Sequence, residues 1–228
     1  MKLSVVIPFY NEENMIQKMY DELVKEINQI TKAEFEIIFI NDGSKDRTFE
    51  RMLAIAAGDS RVKYISFSRN FGKEAGTIAG LEYATGEAVI LMDGDLQHPP
   101  AMLPQMIEAY EQGYDVVSAR RTRTGEKPHR TFLAKHFYKL ANKMMDIELM
   151  DGVSEFRLFS RKVVNAIISM QEYNRFSKGI FAWIGFNEKV IEYENQVRTV
   201  GETKYSLKFS LNYAIQGILS FNDKPLRM

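Results

Sequence analysis

Short apolar runs rich in β-branched and aromatic residues recur along the first half of the chain, at 3–7, 35–40, 62–67, 88–92 and 115–118. Between them, 13–30 and 46–57 repeat apolar residues with a period near 3.6, and 73–84 does so less cleanly. Strand-sized runs alternating with helix-sized amphipathic segments predict βαβα units, hence an α/β fold whose mostly parallel sheet is covered by helices on both faces. The pattern loosens after about residue 119. Leu133, Phe137, Leu140 and Met144 still share one helical face. This divides the chain into a core at 1–119 and a helical appendage at 120–228 belonging to the same domain. A chain of 228 residues suits one large domain of this kind.

Charge changes that picture locally rather than globally. The 30 Lys and Arg balance 30 Asp and Glu, which argues against a general nucleic-acid binder. Yet from 120 to 145 eight basic residues (Arg120, Arg121, Arg123, Lys127, Arg130, Lys135, Lys139, Lys143) face the single acid Glu126. A basic amphipathic helix here suits either an ordinary solvated face or docking to an anionic membrane surface. No apolar run reaches the ~18 residues needed to cross a bilayer. With no cysteine, disulfides, thiolate metal sites and a cysteine nucleophile are excluded, so a metal would need oxygen or imidazole ligands.

Ligands of open parallel sheets bind beyond the carboxyl ends of the strands, so the residues following each run carry the candidate chemistry. After 88–92 comes Asp93-Gly94-Asp95-Leu96-Gln97-His98-Pro99-Pro100. Two carboxylates one residue apart across a glycine, with the neutral oxygen of Gln97, can share a hard cation such as Mg²⁺ or Mn²⁺, which keeps waters and accepts phosphate oxygens. Solvated turn carboxylates are the plain alternative. After 35–40, Asn41-Asp42-Gly43-Ser44 reads two ways: Asp42 accepting bonds from a ribose or base, or a turn in which Ser44 or Asp46 caps the next helix. After 3–7, Pro8 ends the strand and Asn11 caps the helix, or Pro8, Tyr10 and Glu12 border a pocket. Lys73, following Asn70-Phe71-Gly72, offers an ammonium at a helix start for an anion.

These elements, in this order and spacing, resemble the sugar-nucleotide domain of glycosyltransferase family 2, in particular its polyprenyl-phosphate sugar transferases. The resemblance extends through Asp151 to Leu158, Phe181 to Phe186, Arg198 to Tyr205 and Ser220 to Arg227. It implies a GT-A-type, Rossmann-like fold and an inverting transfer of a hexose or N-acetylhexosamine from a nucleotide diphosphate sugar to a polyprenyl phosphate. Bacterial members, the better match, favour a UDP-sugar. By this similarity Pro8, Tyr10, Glu12 and Asp42 line the nucleoside pocket, and Lys73, with its helix-start ammonium, is grouped with them as a donor-binding candidate. Asp93 reaches the ribose or metal, while Asp95 and Gln97 hold the divalent ion. Arg121 and Arg130 meet the acceptor phosphate, with Arg120 or Arg123 as alternates, and Lys204 contacts phosphate from a mobile loop. Asp151 or Glu155 orients the acceptor or a sugar hydroxyl; Ser154-Glu155 departs from the common pattern, and Arg157 suits an ion pair equally well. Trp183 stacks on sugar or serves as a packed aromatic. The implied location is the cytoplasmic face of the cell membrane, and Pro225-Leu226-Arg227 implies a membrane anchor beyond this chain.

Three competing readings have their own discriminators. A transferase onto a soluble glycan or protein would work without lipid. A non-catalytic nucleotide-sugar-binding module would bind without turnover, against the presence of Asp93, Asp95 and Lys204. A haloacid-dehalogenase-like phosphatase also carries Asp-x-Asp after a strand, but there Thr or Val normally stands where Gln97 is.

Overall fold

The computed structural model describes residues 1–122, 150–172 and 175–194, with the single positions Asn142, Ile147 and Phe221. A seven-stranded sheet forms its centre, in the order β3-β2-β1-β4-β6-β5-β7. The strands are β1 (Lys2–Phe9), β2 (Glu34–Asn41), β3 (Val62–Ser66), β4 (Ala88–Leu91), β5 (Val116–Arg121), β6 (Val153–Ser160) and β7 (Glu188–Tyr193). The helices are α1 (Ile16–Ile27), α2 (Thr48–Gly58), α3 (Lys73–Tyr83), α4 (Leu103–Glu111), α5 (Arg161–Ser169) and α6 (Ser177–Trp183).

The alternation of side chains along β1 explains both layers. Leu3, Val5, Ile7 and Phe9 point into one core with Ile16, Met19 and Leu23 of α1, Met52 and Ile55 of α2, and Leu103, Met106 and Ile107 of α4. Val6 points the other way, into a second core with Leu81 of α3, Val163, Val164 and Ile167 of α5, and Ile180 and Phe181 of α6. Each of these strand residues is buried, contributing roughly 1.5–3 kcal/mol of transfer free energy. Burial on both faces is why the runs read as continuous rather than alternating.

The weak periodicity of 73–84 has a packing cause. Gly76 and Gly80 occupy the buried side of α3, and a Cβ on Gly80 would lie 2.1 Å from Cγ1 of Val6. The contact stripe of α3 is therefore small rather than apolar, so the helix backbone can close on β1.

The sheet is mostly parallel, as expected, and β6 alone reverses: it runs antiparallel to both β4 and β5, while β7 runs parallel to β5. The polar Ser154, Glu155 and Arg157 break the apolar run that would have marked β6. Arg157 is tolerated in the sheet because Glu188 of β7 accepts from its Nη1 at 3.2 Å and its guanidinium lies over the Phe181 ring at 5.0 Å. That supplies the ion-pair role for Arg157. Two local expectations need correction, at Pro8 and Asn11. Pro8 does not end β1, which continues to Phe9. Nor does Asn11 cap α1: with φ at 51° it ties to the β2–α2 loop, its N–H donating to Ser44 Oγ and its Oδ1 accepting from the Lys45 N–H. Asp46 fixes the start of α2 by accepting from the Thr48 N–H at 3.0 Å.

Near the start of β2, buried Glu36 collects donors from three other segments. Its carboxylate accepts from Ser4 of β1 at 2.5 Å, Lys63 of β3 at 2.8 Å, and the N–H and hydroxyl of Thr85 just beyond α3. Lys2 Nζ stands 3.5 Å away. Burial pushes the Glu36 carboxyl up, but the bonds from Lys63, Ser4 and Thr85 outweigh it and hold the pKa at about 2 against an ordinary 4.5. A depressed folded pKa contributes stability that is full above about 4.5 and fades as pH falls toward 2. Glu36→Gln should therefore cost on the order of 2–3 kcal/mol near neutrality. Its stability should also fall less steeply than the parent's between pH 4.5 and 2.5, as read by urea unfolding; parallel curves would remove Glu36 from this role.

Candidate active site

The parallel strands β1, β2 and β4 deliver their carboxyl ends to one edge of the sheet, and the first structural task there is to hold the connecting loops. Asn41, the last residue of β2, accepts from the Ser44 N–H and donates to Ser66 at the end of β3. Asp42 is buried and fully engaged within the chain: it accepts from the N–H of Phe71 at 2.7 Å, the N–H of Gly72 at 3.0 Å and Nδ2 of Asn70 at 2.8 Å. Burial raises its pKa, against the lowering effect of the Phe71 and Gly72 amides. Asp42 therefore shapes the loop that launches α3. Tyr10 and Glu12 lie half-buried just past β1, and Pro8 contributes its ring to the packing of α3, within 3.5 Å of where a Gly76 Cβ would stand.

The loop launched this way places Lys73 at the first position of α3, facing the β4 terminus. Its ammonium lies 2.5 Å from Asp93 Oδ1 and 3.7 Å from Glu155 Oε2 of β6. Burial alone would push the Asp93 carboxyl up; the charge and hydrogen bond of Lys73 outweigh this and hold it below its ordinary value. Asp93 is thus an anion at neutral pH, as a cation-binding or ribose-binding carboxylate must be.

The next residues form a turn held from several sides. A Cβ on Gly94 would lie 2.2 Å from Cε1 of Phe9, so only glycine lets the chain pass the β1 terminus here. Asp95 accepts from the Gln97 N–H at 3.1 Å, and Leu96 adopts φ of 59° between them. Buried His98 then accepts the Asp93 N–H at its Nδ1, 3.2 Å away, and stacks on Phe156 with ring centroids 5.5 Å apart. Burial depresses the His98 pKa, in keeping with a neutral ring that carries its proton on Nε2.

Lys73 thus bridges two other sequence-expected residues, Asp93 and Glu155, with Asp95 and Gln97 in the turn that follows Asp93. Arg121 ends β5, opposite Tyr193 of β7, and burial raises the pKa of this tyrosine, with Ser154 and the charge of Arg121 opposing. Asp151 lies in the turn that enters β6. Arg120 is instead paired with Glu192 of β7. Trp183 is exposed at the end of α6. Arg130, Arg123, Lys204, the helix expected around 133–144 and the segment 225–227 lie outside the described residues. Two neighbours of this turn were not anticipated: His98 stood inside the motif at 92–100 but nothing local marked it as buried, and Tyr193 is brought opposite Arg121 by β7, a strand far from Asp93 in sequence.

Asp93, Asp95 and Gln97 offer oxygen donors only, a chemistry suited to Mg²⁺ or Mn²⁺ with water and phosphate oxygens completing the shell. Among the described residues no three His, Asp or Glu side chains converge as a closed ligand set.

A mixed sheet with a carboxylate-bearing turn at the end of its fourth strand defines the class of GT-A-type glycosyltransferases. The chain superposes with a TM-score of 0.68 on the mannosyltransferase PcManGT of Pyrobaculum calidifontis, solved with GDP-Man and Mn²⁺; the two are 17% identical, and the match covers 99% of this chain and 64% of that one. Glucosyl-3-phosphoglycerate synthase of Mycobacterium tuberculosis, solved with Mn²⁺ and UDP-Glc, gives 0.61 at 20% identity, over 95% of this chain and 76% of that one. The chain belongs to glycosyl transferase family 2, whose model matches residues 4–168. It is 50% identical over 226 residues to CsbB of Bacillus subtilis, named as a glycosyltransferase, covering 99% of this chain and 68% of that protein. It is 42% identical over 229 residues to the bactoprenol glucosyl transferase of Shigella phage SfX, covering 100% of this chain and 75% of that protein.

The geometry around Gly94 is directly testable. Phe9 is buried against Phe39 at 5.2 Å and cannot yield, so in Gly94→Ala the Asp93–Gln97 turn must move. Displacement of about 1 Å at a positioning group typically costs ~100-fold in rate. Sugar transfer should fall by about that factor, with overpacking costing roughly 1–3 kcal/mol in unfolding free energy. Wild-type activity in this variant would show that the turn geometry does not matter.

Proposed function

We infer that this protein transfers a hexose or N-acetylhexosamine from a UDP-sugar to a polyprenyl phosphate, with inversion, in a reaction dependent on Mg²⁺ or Mn²⁺. The observation that carries this reading is the convergence of Asp93, Lys73 and Glu155 beside the Asp95 turn, in a chain alike over its whole length to bactoprenol glucosyl transferases. The Mn²⁺ and nucleotide sugars held by the two solved neighbours support a nucleotide-sugar donor and a divalent metal.

The chain's own groups suit the demands of this chemistry. A phosphomonoester acceptor, with a second pKa around 6, is largely dianionic at neutral pH and needs little general-base help. What it needs is to be held in line against another anion, and this falls to cations: Arg121 as a planar fork, with Arg130 and Lys204 as further contacts. Lys73 balances the Asp93 charge so that the carboxylates can stand close together. Asp93, Asp95 and Gln97 would hold the divalent ion, which when bound neutralises charge on the departing nucleoside diphosphate. Pro8, Tyr10 and Glu12 border the nucleoside, beside a loop that Asp42 braces. Asp151 or Glu155 orients acceptor or sugar hydroxyl, Glu155 from its place beside Lys73.

The acceptor places the reaction at a membrane surface, on the cytoplasmic side where nucleotide sugars are available. The basic stretch from 120 to 145 is the segment suited to anionic head groups. Among the described residues no helix is long and apolar enough to cross a membrane.

Incubation of the protein with UDP-glucose or UDP-N-acetylglucosamine, Mn²⁺ and undecaprenyl phosphate should yield a lipid-linked sugar, and chelation should abolish it. Asp95→Ala should lower turnover at least 100-fold, the scale set by loss of one strong electrostatic contact in a transition state. Transfer to a soluble glycan with no lipid present would overturn the acceptor assignment, and full activity in Asp95→Ala would overturn the metal assignment.

A further inference from the structure

His98 is a buried imidazole that the proposed chemistry leaves unused. It follows Gln97 directly, at the end of the turn that carries Asp93 and Asp95. Asp93, Asp95 and Gln97 are each partly exposed, whereas His98 is enclosed. Its Nδ1 stands 3.2 Å from the Asp93 backbone nitrogen and 3.9 Å from Asp93 Oδ2. Only the first distance is a hydrogen bond, and a backbone N–H can only donate, so Nδ1 is the acceptor and carries no hydrogen.

This bond closes a loop. It joins the first residue of the turn to His98, and all three candidate oxygen donors lie within the closed segment. The backbone there needs holding, because Leu96 has φ of 59°, a left-handed conformation that costs a leucine energy. The Asp95 carboxylate, accepting from the Gln97 N–H, steadies the middle of the turn. The imidazole fixes its two ends.

His98 also ties the turn to the next strand. Its ring lies nearly parallel to that of Phe156, with an interplanar angle of 17° and centroids 5.5 Å apart, and Phe156 is fully buried in β6. Glu155, beside Phe156 in that strand, is the second carboxylate that Lys73 reaches. One side chain thus holds Asp93 by its backbone and rests on the strand that carries Glu155. Packing alone needs a flat ring but no nitrogen turned toward the Asp93 amide.

We propose that His98 is a positioning residue for the divalent cation: by holding the Asp93 amide, its Nδ1 keeps the oxygens of Asp93, Asp95 and Gln97 arranged before the cation arrives. This rests on the metal-dependent transferase reading above and adds to it a residue that acts through the turn.

Three replacements separate the acceptor from the ring. Asparagine offers an amide oxygen near the place of Nδ1, glutamine puts its amide near that of Nε2, and phenylalanine keeps a ring on Phe156 without an acceptor. With UDP present, the Mn²⁺ Kd read from the free-ion EPR signal should rise roughly ten- to a hundredfold in His98→Gln and His98→Phe, the range seen when a partner of a metal ligand is lost. His98→Asn should recover most of that loss. At saturating Mn²⁺, kcat should fall in the same two variants while the KM for undecaprenyl phosphate holds. Parental Mn²⁺ affinity in His98→Gln, or equal weakening in His98→Asn and His98→Gln, would overturn the role; this pair decides it even if His98→Phe does not fold. Should the parent protein bind no Mn²⁺ or make no lipid-linked sugar, the transferase reading fails by itself. Hydrogen exchange of the Asp93 amide in the metal-free protein, followed by ¹H–¹⁵N NMR, then tests whether His98 holds the turn. Protection kept in His98→Asn and lost in His98→Gln supports it, and equal protection in both overturns it.

Discussion

The arrangement of the site depends on one electrostatic requirement: several carboxylates must share the edge of a sheet without repelling one another out of place. Asp93, Asp95 and Glu155 come from a β4 terminus and a β6 strand that are direct neighbours. Lys73 at 2.5 Å from Asp93 and 3.7 Å from Glu155 makes this possible. The lysine is in place because α3 starts where it does, and α3 starts there because Asp42 gathers the amides of Phe71 and Gly72. A buried carboxylate at the end of β2 thus sets the position of a cation that serves β4. The energy of the Lys73 contact itself is modest, since both partners are about 30% exposed; its value lies in geometry and in keeping Asp93 ionised.

The same logic, inverted, holds the start of β2 in place. Glu36 draws β1, β2, β3 and the end of α3 onto one carboxylate, accepting from donors within the chain. There the polar groups serve the fold. The carboxyl ends of the strands leave Asp95 and Gln97 partly exposed, which is what a site for anionic and cationic ligands requires. The antiparallel β6 matters for this division. It carries Glu155 to the site edge and Arg157 into the sheet, where Glu188 and Phe181 receive it, so one strand supplies both chemistry and an internal brace for α6.

Much of this was legible in the chain. The runs at 3–7, 35–40, 62–67 and 88–92 became β1 to β4 within one or two residues: β1, β2 and β4 because strands buried on both faces must be apolar whatever their neighbours, and β3, largely exposed, through its β-branched and aromatic residues. That Asp93, Asp95 and Gln97 share one turn at the end of β4 was readable because they stand within five residues just after an apolar run. The boundary of β5 was less so: the run at 115–118 continues through Arg120 and Arg121, whose charges are accommodated by the neighbouring β7 and the open edge. β6 and β7 escaped because Arg157 and Glu188 each spoil an apolar pattern, and only together do they make a buried pair.

The sequence by itself determined the α/β alternation, the family membership and the residue types gathered at the strand ends, since each follows from local pattern or from motifs within a few residues. Only the tertiary structure decided the strand order, the reversed direction of β6, the internal engagement of Asp42, and the meeting of Lys73 with Asp93 and Glu155 beside buried His98. The physical reason is range. Hydrophobic periodicity is written into neighbouring residues. An ion pair or a buried imidazole depends on which distant segment fills the space beside it, and that is fixed only when the sheet has closed.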